Sequence, residues 1–432
     1  MDYSLIIDVC NKEMVPALGC SDPGCISYAA AFAKKYVPED DYKIRAYLCK
    51  NLIKSSSAVV IPGTDGICGA KMAAALGAIA GDPEKKLASL EGLQEEQIEK
   101  ARAFVDAGGV TVDAAETDNN LYLKLIIESD AHSAQVELAD DYDNIFSILV
   151  DGERLLSADN QEGGASGGGP GVDYSVLSFE NIIDFVENAP FSYFELFEET
   201  IRLNELVMED GLKKPYGVQV GEYLTRHLPE PPAELDYLYL RRCAAAAASA
   251  GVDARMGGRA CTAMSSAGSG NQGISGSMSV VAAAKVLGKS YEETVRAVSL
   301  SMLISIYIKK KIGNLSPACG AAMTGIGFGC ALIHMTGGGI DQMVMVLQSM
   351  VGDMPSLLCD GAKASCALKM VTSIEAGALA AGLAMEGKFI PGTNGIVGEG
   401  EAETIDNYVR VAKEGLSLMN DITAEIILAK GV

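Results

Sequence analysis

The sequence predicts an α+β protein in which a mainly helical bundle domain carries a small inserted antiparallel β subdomain. Three features of the 432-residue chain support this fold class. Apolar residues recur with helical periodicity through most of the chain after residue 173, alternation of period two is concentrated within residues 108–156, and a glycine-rich stretch follows that alternation. We therefore expect a mainly helical domain of residues 1–85 and 174–432, an α/β subdomain of residues 86–158, and a linker of residues 159–173.

The N-terminal part mixes helical and strand-like patterns. A helical stretch covers residues 25–35, a strand-like run covers residues 57–61, and an Ala-rich helix follows the turn at residues 62–66. Four strands of a small antiparallel sheet are then predicted at residues 110–112, 121–125, 134–138 and 146–150.

The remaining predicted helices share a high content of Ala, Gly, Ser and Met. They cover residues 178–188, 193–210, 232–250, 291–306 and 402–430. Small residues allow helix axes to approach closely, so we expect a compact bundle whose glycine-rich breaks are candidate site loops.

The charge pattern indicates a small-molecule partner. The chain has 57 acidic and 34 basic residues, a net charge of −23 that opposes binding to nucleic acid or to an anionic membrane surface. The N-terminus is acidic where a signal peptide would be basic, and no apolar run reaches the roughly 18 residues of a spanning helix. We expect a cytoplasmic protein; a homodimer is compatible with the sequence, which does not fix the oligomeric state.

Eleven cysteines without a secretion signal predict reduced thiols or metal ligands. Cys20, Cys319 and Cys359 each lie beside a Gly- or Pro-containing break next to a helical stretch, where helix N-termini stabilise the thiolate that binds metal. Cys366 is a further candidate ligand. The spacing matches neither a zinc CxxC pattern nor a ferredoxin pattern. Six others lie in apolar or Ala-rich stretches and are expected to be small buried hydrophobes: Cys10, Cys49, Cys68, Cys243, Cys261 and Cys330.

Two polar segments, residues 253–258 and 265–273, are suited to close approach of a ligand. A run of Gly and Ser before a helix offers N–H groups and hydroxyls to an anion such as a carboxylate. Pyridoxal-phosphate dehydratases use a similar Ser-Gly-Asn turn, but they need a Schiff-base lysine shortly before it. Here no lysine occurs between Lys214 and Lys285, which argues against pyridoxal phosphate.

Together these motifs resemble the L-cysteine desulfidase family, which is related to the alpha chain of iron–sulfur L-serine dehydratases. The resemblance covers nearly the whole chain. It lies in the segments at residues 17–23, 61–64, 74–77, 81–83, 253–258, 267–273, 319–320, 359–363, 366–369 and 395–398. Two departures are Ser21-Asp22, where the family more often has Thr-Glu, and the run of serines at residues 55–57, which borders the expected pocket.

The resemblance implies a lyase with one 4Fe-4S cluster, held by Cys20, Cys319 and Cys359 and leaving one iron open, with no pyridoxal phosphate. It implies L-cysteine as substrate and hydrogen sulfide, pyruvate and ammonia as products. Asn271 falls where the serine dehydratases place a cluster cysteine, which favours the cysteine-active branch. The predicted substrate-binding residues are Thr64, Arg255, Ser269, Gly270, Asn271 and Gln272.

An open iron would act as a Lewis acid on the substrate sulfur, and the Cα proton needs a positioned base. Lys54 and Lys363 are the candidate bases, because each lies beside a motif expected to line the cavity. Two alternatives stay open: an iron–sulfur dehydratase acting on serine or another small hydroxy amino acid, and a cluster-bearing redox or oxygen sensor. Nothing in the chain resembles a DNA-binding or signalling module, which disfavours the sensor.

Overall fold

The structure is a computed structural model that describes residues 2–156, 172–233, 236–313 and 316–430. The predicted glycine-rich linker lies outside these ranges except for its last two residues. Helices dominate the described residues, and a six-stranded sheet and a two-stranded sheet accompany them, so the predicted fold class is confirmed.

The N-terminal third alternates helices with single strands. Its elements are α1 (Ser4–Glu13), β1 (Pro16–Leu18), α2 (Ser21–Lys34), β2 (Lys43–Leu48), α3 (Lys50–Ser56), α4 (Ala70–Ala80) and α5 (Glu95–Asp106). The strand predicted at residues 57–61 is wrong. Only Val60 forms a strand-like bridge there, with Cys68, and this bridge closes the turn around Thr64. The Thr64 hydroxyl donates to the carbonyl oxygens of Ile61 and Ile67, which holds the turn.

The main sheet has six strands. After β2 it contains β3 (Val110–Ala114), β4 (Tyr122–Glu128), β5 (Ser133–Ala139), β6 (Ile145–Val150) and β7 (Glu153–Leu156), in the order β3-β2-β4-β5-β6-β7. The purely antiparallel prediction is wrong for one pair, because β2 runs parallel to β3. The three helices between these two strands supply the long crossover that parallel pairing requires.

The remaining elements are mostly helices. They are α6 (Phe179–Asn188), α7 (Glu195–Lys213), α8 (Val220–Arg226), α9 (Tyr237–Met256), β8 (Thr262–Met264), α10 (Gly270–Val286), α11 (Tyr291–Ile312), α12 (Gly320–Met335), α13 (Ile340–Asp353), α14 (Cys366–Met385), α15 (Glu401–Arg410) and α16 (Ser417–Leu428). β8 pairs with β1, which ties the N-terminus to the helical part.

Several predicted helices have different bounds in the structure. The helix predicted at residues 291–306 continues to Ile312, and the one predicted at residues 25–35 begins at Ser21. The helix predicted at residues 232–250 begins at Tyr237, where the Asp236 side chain accepts the N–H of Leu238, and continues to Met256. The helix predicted at residues 402–430 is interrupted by a π-helical turn over Val411–Gly415. Glycine has low helix propensity, which is consistent with a break at this position.

Two hydrophobic cores hold the molecule together. The larger core joins side chains of α1 to those of the helices from α6 to α15. The smaller core packs α2, α3 and α4 against the sheet and α5, and it draws residues from both sides of position 85. The domain boundaries inferred from the sequence stay predictions.

Helix α14 is the one helix in the described ranges that is long and apolar enough to cross a membrane by length and composition. It packs against α9, α12 and α13. Its contact with α12 is close because glycines face each other. A Cβ at Gly377 would lie 2.2 Å from the carbonyl oxygen of Gly325. These glycines fix the spacing of two helices whose first turns carry cysteines.

Gly377→Ala should therefore destabilise the protein, by about 1–3 kcal/mol, because the added methyl group forces α12 and α14 apart. Gly382→Ala on the same helix is the matched control, since its Cβ would meet only ring carbons of Tyr237 at 3.8 Å. The control should be neutral or stabilising by up to about 1 kcal/mol, as Ala is the better helix former. Denaturant unfolding of both variants measures this, and equal unfolding free energies would contradict the interpretation.

Candidate active site

Two loops are paired so that Cys319 and Cys359 lie side by side. The Cys319 N–H donates to the carbonyl oxygen of Leu357 at 2.8 Å, and the Cys359 N–H donates to that of Pro317 at 2.7 Å. These reciprocal bonds form a short antiparallel bridge between Ala318 and Leu358. Cysteines 40 positions apart in sequence are thereby brought together, with Cys319 as the N-cap residue of α12.

Three lysines hold the loop that carries Cys359. Lys369 Nζ donates to the carbonyl oxygen of Leu358 at 2.7 Å, Lys54 Nζ to that of Cys359 at 3.4 Å, and Lys363 Nζ to that of Asp360 at 3.2 Å. Lys363 and Lys369 also pair with the Asp360 carboxylate. We call Lys54, Lys363 and Lys369 the lysine clamp. It fixes three successive backbone carbonyls around one cysteine.

Gly361 allows this loop to pass close to α3. Its φ of +100° is one that side chains rarely adopt, and a Cβ there would lie 1.9 Å from the carbonyl oxygen of Lys54. The Lys54 side chain in turn donates to the amide oxygen of Asn420 on α16. The Cys359 loop, α3 and α16 are thus fixed to one another.

Cys20 enters from the N-terminal part as the N-cap residue of α2. Its thiol donates to the Asp22 carboxylate at 3.0 Å, and Asp22 accepts a further bond at 3.3 Å from the hydroxyl of Tyr142, which follows β5. Both Cys20 and Asp22 are buried. The sheet therefore contributes a side chain to the surroundings of Cys20.

A third wall of the site, after the paired Cys319 and Cys359 loops and the Cys20 loop, comes from α9 and α10. Arg255 donates to the carbonyl oxygen of Gly19 at 2.7 Å and to the amide oxygen of Asn271 at 3.1 Å, which links the Cys20 loop to the start of α10. Gly270 makes room for it, because a Cβ there would lie 2.3 Å from Arg255 Nε. Ser269 caps α10 by accepting the N–H of Gln272.

These walls enclose one cavity of about 120 Å³. Its lining contains all four candidate cysteines, Cys20, Cys319, Cys359 and Cys366. Of the residues that the structure describes there, the charged side chains are Lys54, Arg255, Lys309, Lys369 and Asp22. A protein of net charge −23 thus concentrates cationic groups at this cavity, which favours anionic ligands.

The structure brings together most of the residues predicted for the site. Lys54, Arg255, Ser269, Asn271 and Gln272 line the cavity with the cysteines. Gly270 lies directly behind Arg255. Thr64 does not line the cavity and instead holds its own turn, and Lys363 also lies outside the lining and pairs with Asp360.

Hydrogen bonding and nearby cations distinguish the thiols. The pKa of Cys359 is held well below its usual range by a hydrogen bond from Cys319, the N–H of Gly361, and the ammonium groups of Lys54 and Lys309. The same hydrogen bond, together with burial, raises the pKa of Cys319. Burial and the Asp22 carboxylate raise the pKa of Cys20. Of the three thiols, Cys359 is therefore the one whose pKa favours the thiolate, the form that binds a metal.

The donor set fits an iron–sulfur cluster. Thiolate is the usual protein ligand of such clusters, and thiols from three separate segments converge on the cavity. Arg255 Nε and Gln272 Oε1 are buried polar atoms without a hydrogen-bond partner among the described residues, and both residues line the same cavity. Such atoms indicate a polar ligand. Within the described ranges, no group of three His, Cys, Asp or Glu side chains is placed so that it could hold a single metal ion.

Sequence reasoning missed three polar lining residues that lie outside every recognised motif: Asn51, Tyr142 and Lys309. Lys369 lies in the recognised segment 366–369 but is not assigned a site role there. Tyr142 follows a predicted strand with no local motif, and Lys309 belongs to a run of three lysines that is typical of an exposed helix end. Asp22 lay in a recognised motif but was not assigned a site role. Its spacing of two residues from Cys20 was the available signal.

Comparisons with known proteins identify the family of the chain. The family model of the serine dehydratase alpha chain matches residues 84–423. A UPF0597 protein of Oleidesulfovibrio alaskensis is 36% identical over 429 residues, which cover 99% of both chains. UPF0597 proteins of Clostridium perfringens and Porphyromonas gingivalis are 35% and 34% identical, and the matches cover 98% or more of each chain.

A thiol-lined, cationic cavity inside a helical bundle, together with these matches, indicates an enzyme of the serine-dehydratase-like type. The chain belongs to the serine dehydratase alpha chain family. The relationship predicted from the motifs is thereby confirmed.

Asp253, in the motif that contains Arg255, has a structural role with a pH signature. Its buried carboxylate accepts the N–H groups of Val218 and Gly221 at 3.3 and 3.1 Å, which anchors the start of α8 against α9. Burial raises its pKa from 3.8 to about 6.

We expect Asp253→Asn to change the pH dependence of stability. Because the folded protein binds this proton more tightly than the unfolded chain, the contribution of Asp253 to stability falls as pH rises from 3.8 to about 6. The asparagine variant lacks this titration, so its unfolding free energy should rise relative to that of the wild type across this window. Denaturant unfolding at several pH values measures the difference, and an offset that stays constant with pH would contradict the assignment.

Proposed function

We propose that this protein is an iron–sulfur-dependent L-cysteine desulfidase that converts L-cysteine to hydrogen sulfide, pyruvate and ammonia without pyridoxal phosphate. The observation that supports this most directly is the convergence of Cys20, Cys319 and Cys359 on one cationic cavity. Membership in the serine dehydratase alpha chain family supports a lyase reaction on a small amino acid. We expect the enzyme in the cytoplasm, and a homodimer stays a prediction.

Cys20, Cys319 and Cys359 would hold one 4Fe-4S cluster, with Cys366 as an alternative donor. When bound, the cluster supplies a Lewis acid at an iron that lacks a protein thiolate. The chain provides charge balance through Lys54 and Lys369, which line the same cavity as the cysteines. Opposite charges in a low-dielectric interior attract strongly, which supports a thiolate-rich centre there.

The residues of the third wall would hold the amino acid. Arg255 is buried, lines the cavity and has one N–H without a described partner, so it suits the substrate carboxylate. Gln272 offers an unpartnered oxygen to the substrate ammonium group. Asn271 is positioned by Arg255, and Ser269 and Gly270 form the start of α10 beside them. Thr64 would contribute only indirectly, by holding its own turn with hydrogen bonds to Ile61 and Ile67.

A second candidate is an iron–sulfur dehydratase acting on serine or another small hydroxy amino acid. The family model that matches the chain is that of the serine dehydratase alpha chain, which favours it. The two candidates share the same cluster ligands and differ in the leaving group. The described lining contains no histidine that could protonate a departing hydroxide, and a soft sulfur would bind iron directly. We therefore place the desulfidase first.

Replacing each ligand separately tests the cluster. Protein isolated without oxygen should be brown, with about four irons per chain, because three thiolates and an open iron suit a cubane cluster. Cys20→Ala, Cys319→Ala and Cys359→Ala should each abolish iron binding and activity, since alanine has no donor atom. Iron and sulfide analysis with a visible spectrum measures this.

Cys330→Ala and Cys243→Ala are the controls. Cys330 is fully buried in α12 and Cys243 lies in α9, and neither lines the cavity. Both variants should keep their iron, at the cost of some packing only. If Cys366→Ala lost iron while Cys20→Ala kept it, the assigned ligand set would be wrong.

Substrate choice tests the leaving group. The specificity constant should be at least about tenfold higher for L-cysteine than for L-serine, which requires only about 1.4 kcal/mol of extra transition-state stabilisation. Hydroxide is the poorer leaving group and needs an added acid. Anaerobic pyruvate release from each amino acid, with sulfide release from cysteine, measures the ratio. Equal or higher efficiency with serine would establish the dehydratase instead.

A further inference from the structure

Lys309 is a buried lysine whose charge has no partner. Its side chain is only 4% exposed, lies in the last turn of α11 and lines the same cavity as the cysteines. Its ammonium group forms no hydrogen bond and no ion pair with any residue in the described ranges. A basic side chain that lines a cavity without a described acceptor is available to a ligand there.

The other lysines at the cavity are held in place. Lys54 Nζ donates to the backbone of Cys359 and to Asn420, and Lys369 Nζ donates to the backbone of Leu358 and pairs with Asp360. A lysine engaged with such acceptors is held in one position, although burial lowers the pKa of Lys54 as it does that of Lys309. It is a poor choice for a group that must take up and release a proton.

Burial favours the neutral amine at Lys309. It lowers the pKa of Lys309, and the neighbouring ammonium groups of Lys54 and Lys310 act in the same direction, whereas the thiols of Cys359 and Cys319 oppose them. A lysine that lines the cavity and that no described acceptor holds is free to take up a proton there.

We infer that Lys309 is the general base of this site, placed to take the Cα proton of the bound amino acid, and that Lys54 is a positioning residue for the Cys359 loop. The inference rests on the proposed lyase function. The amine takes the proton, the Cα–H electron pair becomes the Cα=Cβ double bond, and the Cβ–S bond breaks with its electron pair on sulfur. Sulfur leaves as hydrosulfide, and Lys309 returns its proton to water after the product has left. The 2-aminoacrylate that remains is hydrolysed to pyruvate and ammonia.

Methionine substitutions separate the two lysines. Lys309→Met, studied in the full chain isolated without oxygen, should keep its iron and sulfide and an unchanged KM for L-cysteine. Its kcat should fall by about 10²- to 10⁴-fold, the usual contribution of general base catalysis. Lys54→Met should instead lower iron content, because it releases the Cys359 loop. Lys311→Met is the neighbouring control, since Lys311 lies outside this cavity and faces Asp406 at 3.6 Å.

Two further measurements, melting temperature and rescue by an added amine, distinguish a catalytic role of Lys309 from a structural one. Lys309→Met should raise the melting temperature, because it replaces an unpartnered amine by an apolar side chain of similar length, while Lys54→Met should lower it. A small primary amine such as methylamine should restore pyruvate release to Lys309→Ala and should not stimulate the wild type. The restored rate should rise with amine concentration.

Retention of kcat within about tenfold in Lys309→Met would overturn the inference. Loss of iron from Lys309→Met, together with failure of methylamine to rescue Lys309→Ala, would also overturn the inference. Lys309 would then be a structural residue. Absence of pyruvate release by the wild type from both cysteine and serine would instead overturn the proposed function, and the base assignment with it.

Discussion

The pairing of the loop before α12 with the loop before α14 is the contact on which the rest of the site depends. Two backbone hydrogen bonds bring Cys319 and Cys359 together, and every other wall is built around that pair. The bridge alone is short. The lysine clamp makes it rigid, because three ammonium groups take three successive carbonyl oxygens that would otherwise be unsatisfied in the interior. The close contact of α12 with α14 then fixes the distance between the two loops.

Charge has opposite signs at the surface and at the site. The chain is strongly acidic as a whole, yet its buried cavity gathers the basic side chains of Lys54, Arg255, Lys309 and Lys369. Asp22 is the one carboxylate of the described lining, and Asp360 pairs with Lys369 beside it. Burying cations is expensive unless negative charge or carbonyl dipoles compensate them. Carbonyl oxygens compensate three of these four cations, and the Cys359 thiolate contributes to the balance. A ligand set that adds negative charge would complete it.

Local patterns predicted much of this arrangement, whereas long-range pairing was not accessible from sequence. Periodicity gave the fold class, and the breaks beside Cys20 and Cys319 correctly indicated helix starts. The motif around Arg255 and the turn at Ser269 also converge as expected. By contrast, the parallel pairing of β2 with β3 depends on a crossover of three helices, and no local signal reports it. Lys309 was hidden for a similar reason: its burial depends on helices that are distant in sequence, while its two lysine neighbours suggest an exposed helix end.

The candidate cluster ligands Cys20, Cys319 and Cys359 come from distant parts of the chain, and this has a consequence for folding. The smaller core is built from residues that lie before position 139 except for one side chain of α16, so much of it can form while the rest of the chain is still being synthesised. Cys20 directly precedes α2, a helix of that smaller core, but its own side chain belongs to the larger core. Cys319 and Cys359 follow it in sequence by about 300 and about 340 residues. Joining these segments closes a very long loop, and the entropy lost grows only slowly with loop length. Completion of the thiol set is thus a late event in biogenesis, and a truncated chain that ends before residue 319 would present one thiol without the others.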